Sequence, residues 1–346
     1  MSMQTGKQSI CFETPPYIVS SASIVGKKEG EGPLGACFDL ITKAYGEKFD
    51  MLNLQFIFRS KRYFSMAPAD IYALLIPMNY KLKKEEIRYL FSGDLLGQNI
   101  ATSFGLMDYQ VPLFGLYGAC STCGEALSLG AMCVAAGYAD YVVAMTSSHF
   151  ASAEKQFRFP LEYANQRPMS ATWTVTGSGA YVLGKRKSNA CITGITTGKI
   201  IDYGIKDSMN MGAAMAPAAA DTICQNLKDF GRRPEDYDHI ITGDLGSVGR
   251  EILIDLLKKE GYDISEMHLD CGMLIYESKA QGTGAGGSGF GCSAVTLAGH
   301  FLKQVEQGKL QRILFVPTGA ILSTVSFNEG KTVPGIAHGV VIEHAD

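Results

Sequence analysis

Two cysteines three residues apart, Cys120 and Cys123, stand in GLYGACSTCGEALSLGAM (115–132), where a glycine-broken strand runs into a helical pattern. A thiol at a helix start feels the positive end of the macrodipole, which favours the thiolate. Cys120 is therefore a candidate nucleophile, set against the plainer reading of a buried structural thiol. The Cys-x-x-Cys spacing also raises a metal or dithiol pair. Zinc would need further ligands, and no second Cys-x-x-Cys or His-x-x-x-His follows in the chain.

A nucleophilic cysteine needs a base, and the chain holds six histidines. His239 precedes a strand, His268 falls in a connector, His300 is mid-helix, and His338 and His344 bracket the last strand. His149 ends the strand after the Cys120 helix, in TSSHF, where a ligand crevice opens in an α/β sheet. The stretch that follows, HFASAEKQFRFPLEYANQRP (149–168), reads as a long loop with Lys155, Arg158, Arg167 and several aromatics. A pocket loop for a planar anion has this make-up, and so does a solvated connector. The glycine tracts GTGAGGSGFGCS (282–293) and WTVTGSGA (173–180) lack the Gly-Lys-Ser/Thr of a phosphate loop. Close backbone packing around a pocket accounts for them.

The elements that must position these residues occur twice. YLFSGDLLGQN (89–99) and HIITGDLGSVG (239–249) both read as an apolar strand leading to Gly-Asp-Leu. Cys120 opens a helix ending near Gly137, followed by the strand ADYVVAMTSS (139–148). Cys292 opens a helical stretch ending near Gly308, followed by QRILFVPTGA (311–320). Each half closes on a glycine-rich strand, GSGAYVLG (177–184) and AHGVVIEH (337–344). The expectation is a duplicated α/β unit, with an N-terminal half over 1–186 that includes a pocket loop at 149–176, and a C-terminal half over 187–346.

The helix after Cys120 carries Glu125 as its one charge through Gly137, so it is expected to lie buried between layers. Thr122-x-x-Glu125 fits a capping box. Helices at 219–230 and 248–260 are amphipathic and expected outside, with a turn at 231–239. Residues 50–80, interrupted by Pro68 and Pro77, keep no clean helical stripe and stay unassigned.

The bulk numbers exclude several classes. A chain of 346 residues with 46% hydrophobic and 19% charged residues can bury a large core. A net charge of −3 offers no basic field for nucleic acid. The first twenty residues lack an apolar core of signal-peptide length, and no run of eighteen apolar residues spans a bilayer. Nine cysteines without regular spacing suit free thiols in a reducing compartment.

Taken together, GPLG (32–35), GDLLGQN, GACST, MTSSH, AEKQFRFPLEY, TVTGSGA, NMG followed by AAMAPAAADTI, EDYDHIITGDL, DCGMLIY, AGGSG and IAHGVV resemble the thiolase superfamily. The resemblance implies a five-layered αβαβα fold and a homodimer paired through sheet edges. Within the superfamily the likeness is to a sporulation family of spore-forming bacteria. Only 50–80 departs from its pattern, where the family has an amphipathic helix.

Condensing enzymes of the superfamily pair the cysteine with a second-half His and Asn, or with a His and a second Cys. Here the corresponding positions read Thr242-Gly243-Asp244, Gly286-Gly287-Ser288-Gly289 and Thr318-Gly319-Ala320. Loss of the base and of the oxyanion donors should abolish condensation, and Asp244 should disfavour a thiolate nearby. The resemblance thus implies no catalytic residue, no metal and no cofactor. It implies binding of dipicolinic acid (pyridine-2,6-dicarboxylate) or its calcium chelate, alongside integral membrane subunits of a spore channel. The location would be peripheral at the forespore inner membrane, with uptake in sporulation and release in germination.

The pocket residues it implies are Cys120, Ser121, Ser148, His149, Arg158, Arg167, Thr176, Asp244, Ser288 and Thr318. Arg158, Arg167 or His149 would supply charge-assisted bonds, the helix N-terminus its amides, and aromatics would cover the ring. Calcium would arrive with the ligand, since no dedicated calcium loop is present. The alternatives are an acyl-coenzyme A condensing enzyme or acyltransferase using Cys120, with His149 as base, and a scaffold whose pocket is vestigial.

Overall fold

The computed structural model describes residues 3–42, 84–157 and 167–345; the unassigned stretch 50–80 and Arg158 lie outside the described residues. Among the described residues, the principal strands of the first half are β1 (Tyr17–Val25), β2 (Ile87–Asp94), β3 (Leu113–Gly115), β4 (Tyr141–Ser148) and β5 (Gly177–Gly184). In the second they are β6 (Ala190–Thr196), β7 (His239–Thr242), β8 (His268–Asp270), β9 (Arg312–Val316) and β10 (Gly339–His344).

The spatial orders are β3-β2-β4-β5-β1 and β8-β7-β9-β10-β6. Directions repeat as well as order. β2 runs parallel to β3 and β4, while β5 is antiparallel to β4 and β1. Likewise β7 is parallel to β8 and β9, while β10 is antiparallel to β9 and β6. The two runs join edge to edge where Tyr17 of β1 pairs with Cys191 of β6.

Apart from the exposed edge strand β3, both runs are buried on both faces, which is why their strands read as near-continuous apolar segments. Side chains alternate between faces, and each face has its own core. Between the two runs lie α1 (Thr122–Ala135) and α5 (Phe290–Thr296), which extends through a π-helical turn, Leu297–Phe301, into α6 (Leu302–Glu306). Leu127, Ala131, Ala294 and Leu297 of these helices share one core with Val142, Ala144, Tyr181 and Leu183 on one side and Ile313, Phe315, Val340 and Ile342 on the other.

The opposite face of the second run, with Ile240, Leu314, Val316 and Val341, packs on α3 (Met211–Phe230) and α4 (Gly246–Lys259). The opposite face of the first, with Leu90, Val143, Met145 and Val182, covers Leu106 of the short helix Ile100–Leu106. The layers are therefore helix, sheet, helix, sheet, helix, the five-layered αβαβα arrangement of a thiolase-like fold. Each fully buried Leu or Phe in the middle layer contributes roughly 1.5–3 kcal/mol by leaving water.

Two helical expectations need correction. The helix expected at 219–230 starts at Met211, with Asn210 Oδ1 accepting from the Ala213 amide at 3.3 Å. Pro217 signals a boundary in the sequence, yet the helix runs through it. The alanine-rich stretch from Ala213 to Ala220 is buried, and its packing overrides the lost amide. The segment read as a loop from His149 contains a helix, α2 (Phe150–Phe157), which follows β4 directly. Among the described residues no helix is long and apolar enough to cross a membrane.

Candidate functional site

Cys120 sits in a tight turn, Ala119–Ser121, that leads into α1. Ala119 has φ +53°, a left-handed conformation that costs a non-glycine residue energy and that the surrounding contacts must hold. Four contacts do so. The Thr122 hydroxyl accepts from the Gly118 amide at 2.9 Å and donates to the Ala119 carbonyl at 2.6 Å. The Ser121 hydroxyl donates to the Gly118 carbonyl at 2.5 Å. Finally, the backbone at Gly319 presses on the turn so closely that a Cβ there would lie 2.7 Å from the Gly118 carbonyl oxygen.

The expected capping box does not form. Thr122 is already helical and its hydroxyl turns back to the elbow, while Glu125 Oε2 is buried with no hydrogen-bond partner among the described residues. The elbow takes the place of the cap.

Asp244, at the end of β7, lies under this turn and organises the floor. Ser288 Oγ donates to its Oδ2 at 2.6 Å, Thr318 Oγ1 donates to its Oδ1 at 2.7 Å, and the Gly289 amide approaches Oδ2 at 3.4 Å. Cys120 Sγ stands 3.7 Å from Ser288 Oγ. The floor is closed to water: Asp244 is 1%, Ser288 3%, Thr318 0% and Cys120 8% exposed.

Burial pushes the Cys120 thiol well above its ordinary range, and the Asp244 carboxylate pushes it further. The Gly289 amide acts the other way and does not offset this. The helix start that favours a thiolate on dipole grounds is thus overruled by desolvation and a neighbouring acid. Burial likewise raises Asp244.

A second polar cluster lies behind the floor, and the sequence reading missed it. His268 is on β8, not in a connector, and the parallel register sets Thr242 beside Asp270. Thr242 Oγ1 donates to Asp270 Oδ2 at 2.6 Å, so the ring nitrogen 3.0 Å away, His268 Nε2, carries the proton and donates to Thr242. Asp270 also accepts from the amides of Leu245, Gly246 and Met273. Burial lifts Asp270 to about 6 and lowers His268 to about 3. The one visible signal was Asp270 as a helix cap in HLDCG.

The structure brings Cys120, Asp244, Ser288 and Thr318 together and gives the other expected residues different work. Ser148 Oγ donates to the Val175 carbonyl at 2.7 Å and accepts from the Gly291 amide at 2.9 Å, tying β4 to the start of α5. Thr176 Oγ1 accepts from the Phe150 amide at 3.0 Å, and the Thr176 amide donates to Glu29 Oε1 at 2.9 Å. Arg167 is engaged within the fold: it pairs with buried Glu154 at 2.9 Å and lies over Trp173 and Phe150 at 4.5 and 5.3 Å. Those two rings stack at 4.2 Å. His149 is half-buried, with Nδ1 3.4 Å from Ser152 Oγ, and burial lowers its proton affinity.

One neighbour was overlooked. Tyr117, three residues before Cys120, is 48% exposed, with its ring 5.5 Å from that of Phe290 and its hydroxyl donating to the Leu95 carbonyl at 3.3 Å. Burial, Asp94 and Cys120 together raise its phenol to about 12. An aromatic just ahead of the elbow was the signal.

Comparison with known proteins places this arrangement. A family model described as stage V sporulation protein AD matches residues 6–343. The Bacillus subtilis (strain 168) protein named stage V sporulation protein AD is 44% identical over 347 residues, covering 99% of this chain and 98% of that protein. Among solved structures, 3-oxoacyl-[acyl-carrier-protein] synthase III from Aquifex aeolicus is 12% identical with a TM-score of 0.55, covering 95% of this chain and all (100%) of that one. Xanthomonas campestris OleA is 12% identical with a TM-score of 0.56, covering 99% and 100%. At such identities the two enzymes share the fold alone.

Proposed function

Since this chain belongs to the stage V sporulation protein AD family, we propose that it is a non-catalytic protein that binds dipicolinic acid or its calcium chelate. In this reading it works with integral membrane subunits of a spore channel, peripheral at the forespore inner membrane, in uptake and later release.

The observation that carries the non-catalytic part is Asp244. It stands where a condensing enzyme of this fold would need a base, it accepts hydrogen bonds from Ser288 and Thr318, and its charge opposes a Cys120 thiolate. With both hydroxyls bonded to a carboxylate, neither is available as an oxyanion donor. The scaffold persists while the chemistry is blocked.

The same residue sets the ligand form. A free dicarboxylate would meet Asp244 as like charge, whereas the calcium chelate is neutral. The ligand therefore sits above the Cys120 turn, with its ring against the exposed ring of Tyr117, and the calcium chelate binds in preference to the free acid. Titration calorimetry of the pure protein tests this. Heat with dipicolinate plus calcium, weaker heat without calcium, and a narrower gap in Asp244→Asn are expected; no heat in any case overturns the proposal.

The homodimer rests on the edge of the first run. In β3 all three residues are exposed, including Leu113 and Phe114, and Phe104, Met107 and Tyr117 are exposed nearby in sequence. An open, apolar edge strand pairs with a second copy unless something covers it.

The competing reading is an acyltransferase, favoured by one observation: the elbow keeps Cys120 at the start of a buried helix. Mass spectrometry after incubation with acetyl-coenzyme A separates the two, since only the enzyme forms an acyl adduct on Cys120.

A further inference from the structure

A second cysteine has what Cys120 lacks. Cys37 ends the short turn Gly35–Cys37, and its Sγ lies 3.9 Å from His300 Nδ1. His300 belongs to the π-helical turn between α5 and α6, where one extra residue swells the helix. Gly299 lets the two segments meet: a Cβ there would lie 2.9 Å from Phe38 Cδ1 and 3.3 Å from the Cys37 carbonyl oxygen. On the far side of the imidazole, Gln304 Nε2 is 3.1 Å from His300 Nε2. The ring edge rests on Phe301 at 4.9 Å. Lys303 Nζ then clamps the turn by donating to the Cys37 carbonyl at 2.7 Å and to Asp39 Oδ1 at 3.0 Å.

Nucleophile, base and orienting amide thus stand in line, which is the arrangement that activates a thiol. The amide's orientation does not change the outcome. With the Gln304 amide donating to Nε2, the Nδ1–H points at sulfur and stabilises the thiolate. With its carbonyl accepting from Nε2–H, Nδ1 is free to take the thiol proton. Burial lowers the proton affinity of His300, which keeps the ring neutral near pH 7 and so able to act either way. The charged and titratable groups around the pair are Lys303, Asp39, Glu306 and His239. Cys37 is only half-buried, so a small reagent can reach it.

We propose that Cys37, with His300 and Gln304, is a reactive thiol and a modification site that exchanges with low-molecular-weight disulfides. The thiol proton passes to the imidazole, and the thiolate attacks one sulfur of the disulfide. The new bond joins Cys37 to that sulfur, and the other sulfur leaves as a thiolate that takes the proton back from the imidazolium. One disulfide is consumed and one is formed. This site is separate from the floor under Cys120 and does not depend on what that floor binds.

The test is the rate of 5,5′-dithiobis(2-nitrobenzoate) exchange on the folded full chain, with each thiol identified by mass spectrometry. Cys11 is more exposed than Cys37 and has no such histidine contact among the described residues, so it is the internal reference. Cys37 should react at least about tenfold faster than Cys11 at pH 7. Between pH 8 and 7 its rate should fall by less than about threefold, where an unassisted thiol loses about eightfold. His300→Leu should abolish the advantage while Cys11 is unchanged, and Gln304→Leu, which leaves the imidazole in place, should reduce it about threefold. Cys11 reacting as fast as Cys37, or an unchanged Cys37 rate in either variant, overturns the proposal. If His300→Leu fails to fold, the pH profile and Gln304→Leu decide.

Discussion

Ser288 donates its hydroxyl proton to Asp244 at 2.6 Å and turns only its lone pairs toward the Cys120 sulfur, 3.7 Å away. In that geometry Cys120 can give a hydrogen bond to Ser288 but cannot receive one from it. A thiolate there would face an oxygen and, behind it, a carboxylate. The site is built for a protonated thiol.

Cys120 should accordingly be inert. Iodoacetamide at pH 7.5 should label exposed Cys11 at least about a hundredfold faster than Cys120, whose thiol is raised by burial and by Asp244. Asp244→Asn removes the charge and should speed Cys120 labelling. Peptide mass spectrometry over a time course reads both rates, and prompt Cys120 labelling in the native sequence would count against the account of the floor.

Acid should loosen the fold through buried histidines. His338 accepts from the Gly198 amide at 3.3 Å, and burial lowers it to about 4. The unfolded chain takes up that proton near pH 6.5, the native protein only near 4, so the stability is complete above 6.5 and is lost as pH falls through that window. His268, lowered to about 3, acts in the same direction. Asp270, raised to about 6, opposes them, because the native state holds its proton more tightly than the unfolded chain between about pH 6 and 4. Asp244, Asp94 and Glu29, also raised by burial, act with Asp270, so the histidine contribution is read by difference. Between pH 7 and pH 5, urea unfolding should show the native sequence losing ~2 kcal/mol more stability than His338→Gln. An equal fall in the variant would assign the acid sensitivity elsewhere.

Charge on the open edge should separate the protomers. Phe114 is 52% exposed in β3 and stacks on Phe91 at 5.2 Å. Phe114→Lys should shift sedimentation from dimer to monomer with little change in far-UV dichroism. A wild-type chain that sediments as a monomer at micromolar concentration would remove the basis for the dimer.

A close approach in the middle layer should tolerate no side chain. A Cβ on Gly179 of β5 would lie 2.5 Å from the backbone of Ala294 in α5. Gly179→Ala should cost about 3 kcal/mol, since backbone on both sides must move. Gly261→Ala is the control: its φ is +87° but nothing lies within 4 Å, so its cost is ~1–2 kcal/mol of conformational strain alone. Denaturant midpoints compare the two, and equal losses would mean the layers give way more easily than their spacing implies.

Much of the architecture was legible because its signals are local. GSGAYVLG coincides with β5, and the helix after Cys120, with Glu125 its one charge, lies in the middle layer as its composition requires. What misled were local signals overridden by packing. The helix expected at 219–230 reaches back to Met211 because the alanines before it are buried, and the cap expected at Thr122 gives way to an elbow that depends on the conformation of Ala119. The aromatic and basic residues after His149 looked like a loop, yet they start with a helix whose Glu154 holds Arg167.

The sequence by itself determined the duplicated α/β plan and the residue types at each strand end, because strand, turn and helix signals are carried by neighbours in the chain. Only the tertiary structure decided what those residues do to one another. Cys120 and Ser288 are 168 positions apart and Cys37 and His300 are 263 apart, so proton sharing and desolvation follow from how the layers close. That closure silences the thiol at the helix start and leaves a histidine beside half-buried Cys37.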